Sequence, residues 1–179
     1  AGWLPAACFE CLNCLAYPHA MVLDTGFFCT IGEHIWLAGP ERRFLGSSNG
    51  RYMGVGIPTA IGAATALAGM PVFCAVGDGG VRNYLAELTL ALQERLPICV
   101  MFMADGRYGS IACTPQAAGM SRRALEVTHS SWWRSVGAMG VPAKSVENAE
   151  AFTRAAEDWD RQGPLFLELR FDPEAYGSM

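Results

Sequence analysis

Residues 52–77 carry no charged side chain, a run of 26 positions between Arg51 and Asp78. A stretch like that either crosses a membrane or lies in the middle of a protein, so it limits the available folds more than any other part of the chain. A spanning helix wants about 20 consecutive apolar residues, and this run is long enough. Its content points the other way. Pro58 and Pro71 interrupt it, Gly54, Gly56, Gly62 and Gly69 punctuate it, and Leu67 is its one leucine. The run predicts a small-residue helix over 57–68, with Pro58 in its first turn, followed by a buried strand over 72–76. No membrane segment is expected.

Alternation continues on both sides of this pair. Helices are predicted over 4–16, 131–139 and from an Asn148 cap to about Arg161; strands over 20–23, 98–103, 143–146 and 165–170, with Asp172-Pro173 closing the fold. Gly77-Asp78-Gly79-Gly80 is expected to turn directly into a helix whose stripe is Val81, Tyr84, Leu85, Leu88 and Leu92, ended by Pro97. Residues 27–50 read as irregular, with turn signals at Gly39-Pro40 and at Ser47-Ser48-Asn49-Gly50. Continuous apolar strands alternating with helices predict an α/β fold, a doubly wound, mostly parallel sheet with helices on both faces. At 179 residues, 1–179 is expected to be a single domain.

Composition removes other classes. With 51% hydrophobic and 17% charged residues the chain is no disordered segment. A net charge of −4, with no basic run longer than Arg42-Arg43 or Arg122-Arg123, argues against nucleic acid. The start, Ala1-Gly-Trp-Leu-Pro5, lacks the basic and apolar regions of a signal peptide, and the missing initiator Met points to processing or trimming. Seven cysteines, an odd number, read as reduced thiols in a cytoplasmic protein.

In open parallel sheets ligands bind beyond the carboxyl ends of the strands. Three such ends are unusual here: Asp24-Thr25-Gly26, Gly77-Asp78-Gly79-Gly80 and Asp105-Gly106-Arg107-Tyr108-Gly109. Gly79 and Gly80 would let backbone N–H groups approach an anion at a helix N-terminus. A carboxylate repels phosphate, so Asp78 makes more sense holding a hard divalent cation that bridges to phosphate oxygens. Asp105, one helix and one strand later, returns to the same edge. Taken alone, Gly-Asp-Gly is also what any tight turn selects.

The combination resembles a known family. Gly77-Asp78-Gly79-Gly80, an acid 27 positions after Asp78, then Arg107-Tyr108-Gly109-Ser110 is similar to the thiamine-diphosphate motif. The segment from Gly50 through Met53, Gly54, Gly56, Pro58, Ala60 and Gly62 to Ala63 is similar to the corresponding helix of acetolactate synthases and related 2-oxoacid decarboxylases. Asp24-Thr25-Gly26 resembles their DxG loop, and Gly163-Pro164 with the strand after it resembles their closing element. The resemblance spans about residues 20–172. It implies the diphosphate-binding domain of a thiamine-diphosphate-dependent decarboxylase or carboligase acting on a small 2-oxoacid. Carried over by position, Asp78, Asp105 and the Arg107 carbonyl would bind Mg²⁺. Gly77, Gly79, Gly80, Tyr108 and the Ser110 amide would hold the cofactor, Met53 would wedge it into a bent shape, and the Arg51 carbonyl would meet its amino group. The glutamate that generates the C2 ylide belongs to a pyrimidine-binding domain. It is expected on a partner chain, in an α₂β₂ or larger hetero-oligomer, this chain being similar either to the β subunit of sulfopyruvate decarboxylase or to the C-terminal third of a longer enzyme. Two departures from the family stand out: Ala104-Asp105 replaces its usual Asn pair, and Phe27-Phe28 replaces polar residues after DxG.

Other residues have two readings. Cys8, Cys11 and Cys14 are either ligands of an iron–sulfur cluster, as in a 2-oxoacid:ferredoxin oxidoreductase β subunit, or small packing residues on the first helix. Packing is the expected role. His19, His34 and His129 read as structural or surface residues, with His34 the best placed for chemistry. Trp132-Trp133 reads as an anchor for its helix. A subunit that binds a partner but no cofactor is the non-enzymatic alternative.

Overall fold

The computed structural model describes residues 3–46, 50–114, 119, 121–127 and 131–176. The turn expected at 47–49 and His129 lie outside them. Six strands form one sheet: β1 (His19–Leu23), β2 (Arg42–Gly46), β3 (Val72–Gly77), β4 (Ile98–Ala104), β5 (Ala143–Val146) and β6 (Leu165–Arg170). Their order across the sheet is β2-β1-β3-β4-β6-β5, and every pairing is parallel. The doubly wound fold is therefore as expected.

Side chains alternate along each strand and so feed two cores. Met21, Phe73, Met101 and Leu167 pack with helices α1 (Pro5–Asn13), α2 (Phe27–Ile35) and α8 (Ala149–Asp158) on one face. Val22, Cys74, Val100 and Phe166 pack on the other with α3 (Gly56–Ala66), α4 (Leu88–Gln93) and α7 (Trp132–Ala138). Three further short helices lie among the described residues: α5 (Gly109–Ala112), α6 (Arg122–Leu125) and α9 (Pro173–Tyr176). The uncharged run is α3 plus β3, with Ala60, Ala63 and Ala64 turned to the sheet. Among the described residues no helix is long and apolar enough to cross a membrane.

Residues 27–46 differ from the irregular stretch expected. They hold α2 and the edge strand β2. Gly32 sits mid-helix because α1 comes so close that a Cβ there would lie 2.9 Å from the Phe9 ring. Strand β2 is an edge strand; the Arg42 guanidinium turns back to donate to the Asn13 carbonyl at 2.8 Å, and its backbone is bridged to Gly39.

The segment after β3 also differs. Gly77-Asp78-Gly79-Gly80 opens into successive turns, with Val81 N–H donating to the Gly77 carbonyl and Asn83 N–H to that of Gly80. A 3₁₀ turn follows at Leu85–Glu87, and α4 starts only at Leu88. Val81, Leu85 and Leu88 are buried as expected, but Tyr84 and Leu92 are exposed and Ala91 takes the inner position. Helix α8 stops at Asp158 rather than near Arg161, because Trp159 turns extended and its indole N–H binds the Gly163 carbonyl. The Asn148 side chain caps that helix by accepting from Ala151 N–H at 2.8 Å.

Candidate cofactor and metal site

The chain leaves β1 and β3 in opposite directions across the sheet, since β2 lies outside β1 and β4 on the far side of β3. At this switch the loops after β1, β3 and β4 stand side by side, and a cleft of about 160 Å³ opens between them. Met53, Gly77, Asp78, Gly79, Asp105, Arg107, Tyr108 and Ser110 all line it. Arg51 and Gly80, the other two positions expected there, do not.

Asp24 explains Gly80. Its carboxylate is 1% exposed, and both oxygens accept from Gly54 N–H at 2.9 Å. Burial pushes the carboxyl up, while the N–H groups of Thr25, Gly54, Val55 and Gly56 pull it back toward the charged form. Asp24 thus caps the start of α3 from the neighbouring strand, where the helix dipole favours an anion. A Cβ on Gly80 would collide with its Oδ2. Gly80 makes room for an internal carboxylate. Replacing Asp24 with alanine is expected to strand these donors and to cost about 2–4 kcal/mol. A thermal melt should then fall by roughly 5–10 °C, and Asp24→Asn, which keeps one acceptor, should fall less.

Two ties fix the neighbouring loop. Arg51 has φ +46°, a strained conformation for a residue other than glycine. Its carbonyl accepts from the Thr25 hydroxyl at 2.7 Å, and its guanidinium binds both oxygens of Glu33 at 3.1 Å. These contacts place Met53 over Gly79, where a Cβ would meet the Met53 sulfur. The Phe28 ring rests on Gly77 below, and Phe27 and Met103 complete an apolar wall.

Asp78 and Asp105 follow directly on the adjacent strands β3 and β4. Asp78 Oδ2 accepts from the N–H groups of Asp105 (3.2 Å) and Gly106 (3.1 Å), so it also holds the second loop. The two carboxyls lie close enough to perturb each other. Burial, then the nearness and charge of Asp78, push Asp105 up to about 8. Burial raises Asp78 as well. Asp105 Oδ2 is buried and has no hydrogen-bond partner among the described residues. Two hard oxygen donors held side by side, one of them with a buried unmatched oxygen, fit a divalent cation.

That arrangement sets a pH dependence. Without a cation the folded chain holds a proton that the unfolded chain has already released near pH 4. Stability should therefore fall as pH rises from about 4 to about 8. Melts in a chelator should show this fall steepest in the native chain and clearly reduced in Asp105→Asn, where the raised carboxyls of Asp24 and Asp78 remain. A slope shared by both would contradict it.

The remaining candidates lie elsewhere. His34 is exposed on α2, its ring nitrogen on the Thr30 carbonyl of its own helix. His19 is buried among Tyr17, Trp36 and Phe73, and burial lowers its pKa. Cys8 packs in the core and Cys11 is half-buried, but Cys14 is exposed at the helix end rather than packed as expected. Trp132 and Trp133 are half-buried against the second core.

Met103 and Ile111 also line the cleft and were not expected from the sequence. Met103 was findable as the last inward residue of β4 before Asp105. Ile111 carried no signal, being an apolar residue left 46% exposed at the cleft rim.

The family described as thiamine pyrophosphate enzyme, C-terminal TPP binding domain, matches residues 24–169. The acetolactate synthase isozyme 3 large subunit of Escherichia coli (strain K12) is 36% identical over 87 residues, covering 45% of this chain and 15% of that protein. Benzoylformate decarboxylase of Pseudomonas aeruginosa is 24% identical over 173 residues, covering 92% and 32%. The crystal structure of benzoylformate decarboxylase from Polynucleobacter necessarius superimposes with a TM-score of 0.79 at 16% identity, covering 94% of this chain and 33% of that one. The chain thus spans a third or less of the length of these proteins.

Proposed function

The chain belongs to the family of thiamine pyrophosphate enzyme C-terminal TPP-binding domains, and we propose that it is the diphosphate- and Mg²⁺-binding half of a 2-oxoacid decarboxylase or acetolactate-synthase-like carboligase. The observation that carries this reading is the Asp78–Asp105 carboxyl pair at the ends of β3 and β4, opening on the cleft. Both side chains, with the Arg107 carbonyl, would hold Mg²⁺ and leave its other positions to water and phosphate oxygens. The backbone of Gly79 and the Ser110 amide would steady the diphosphate, and Met53 above Gly79 would prop the rings. When bound, thiamine diphosphate supplies the electron sink for cleavage or formation of a bond at the keto carbon. This chain's own part is to bind and orient, while Phe27, Phe28 and Met103 keep water from that wall.

The cleft supports a two-part site. Its room falls below the ~300–1,000 Å³ of complete small-molecule sites. Met53 and Ile111 on its rim and the neighbouring Tyr52 are 48%, 46% and 70% exposed. A pyrimidine-domain chain covering that rim would close the site and bring the missing glutamate, making the working enzyme a hetero-oligomer. Seven free thiols fit a reducing, cytoplasmic setting. The test is to identify what co-purifies with the native protein. A pyrimidine-domain chain is expected; a homogeneous preparation with full activity would contradict the two-part reading.

A further inference from the structure

Arg107 is the one cationic side chain among the described residues that line the cleft. It stands between two spaces. On one side is the cleft with Asp78; on the other is a second hollow of about 130 Å³, shared with Glu126 and Glu174; Asp105 borders both. Its guanidinium donates to Glu174 Oε1 at 3.5 Å, the far limit of a hydrogen bond, and the Glu174 side chain is 77% exposed. A long bond to a well-solvated carboxylate is worth little and is readily exchanged for a better acceptor.

Charge supplies the reason for an exchange. The cleft already holds two acids, and a diphosphate would add more negative charge at the same place. Asp105 makes this worse than the amide that the resemblance leads one to expect there. A guanidinium two residues on restores the balance, and its fork matches phosphate oxygens in pairs. We propose that the Arg107 side chain is a diphosphate-binding arm of this cleft, held on Glu174 while no anion is bound and moving to the phosphate oxygens when one is. This rests on the functional reading above and adds to it a side-chain role that offsets the Asp105 charge.

The test titrates inorganic pyrophosphate with Mg²⁺ into the full chain, since every proposed diphosphate and metal ligand lies on it. Arg107→Ala should weaken binding about tenfold, Arg107→Lys should recover part of the loss, and Glu174→Gln should bind at least as tightly as the native chain. The loss should shrink in an Asp105→Asn background, where less charge needs offsetting. Affinity should also fall less steeply with salt in Arg107→Ala than in the native chain, which a merely misfolded loop would not produce. Melting curves establish that each variant is folded. A loss under threefold in folded Arg107→Ala overturns the inference while leaving the functional reading intact. Absence of binding by the native chain overturns both.

Discussion

Asp78→Asn is expected to weaken Mg²⁺-dependent binding of thiamine diphosphate by about a hundredfold or more, in a chain that still folds. Asparagine keeps a carbonyl where Asp78 Oδ2 accepts from Asp105 and Gly106 N–H, so the loop should hold its place. What it removes is the charge a hard cation needs. Alanine is the harsher change, because it also leaves two buried N–H groups unmatched at about 1–3 kcal/mol each. Asp105→Asn is expected to bind well, since it relieves the carboxyl–carboxyl contact and retains an oxygen donor. Calorimetry with and without Mg²⁺ reads both variants. Undiminished affinity in Asp78→Asn would remove the cation from this site.

The second large effect is loss of turnover in isolation. The chain alone, given thiamine diphosphate and Mg²⁺, is expected to release no CO₂ from 2-oxoacids above the uncatalysed rate. The acids lining the cleft are Asp78 and Asp105, both proposed above as cation ligands, and no glutamate lines it among the described residues. The rim stays open to water, which would quench a reactive carbanion-like centre without control. Adding the co-purifying pyrimidine-domain chain should restore CO₂ release. Turnover by a partner-free monomer would contradict the two-part site.

The sheet was legible because its strands are continuous apolar runs bounded by turn residues, which needs no tertiary information. The site was legible for a related reason: Asp24, Asp78 and Asp105 each stand just past a strand, where a parallel sheet gathers its loops. What escaped depended on contacts between distant residues. Gly32 looks unhelical until Phe9 is placed against it. Gly80 looked like part of an anion cradle, and only the buried Asp24 carboxylate beside it shows what the missing Cβ is for. Glu168 is similar. It is fully buried on β6, yet it accepts from Trp133 N–H in the first turn of α7 and pairs with Arg170 at 2.7 Å. No local pattern announces a strand carboxylate that caps a helix far along the chain.

The most direct measurement is a calorimetric titration of the chain with thiamine diphosphate, with Mg²⁺ and again in chelator. One saturable site per chain is expected, present with the cation and lost without it. Binding that is equally tight in chelator, or none in either condition, would contradict a cation-bridged diphosphate held between the ends of β3 and β4.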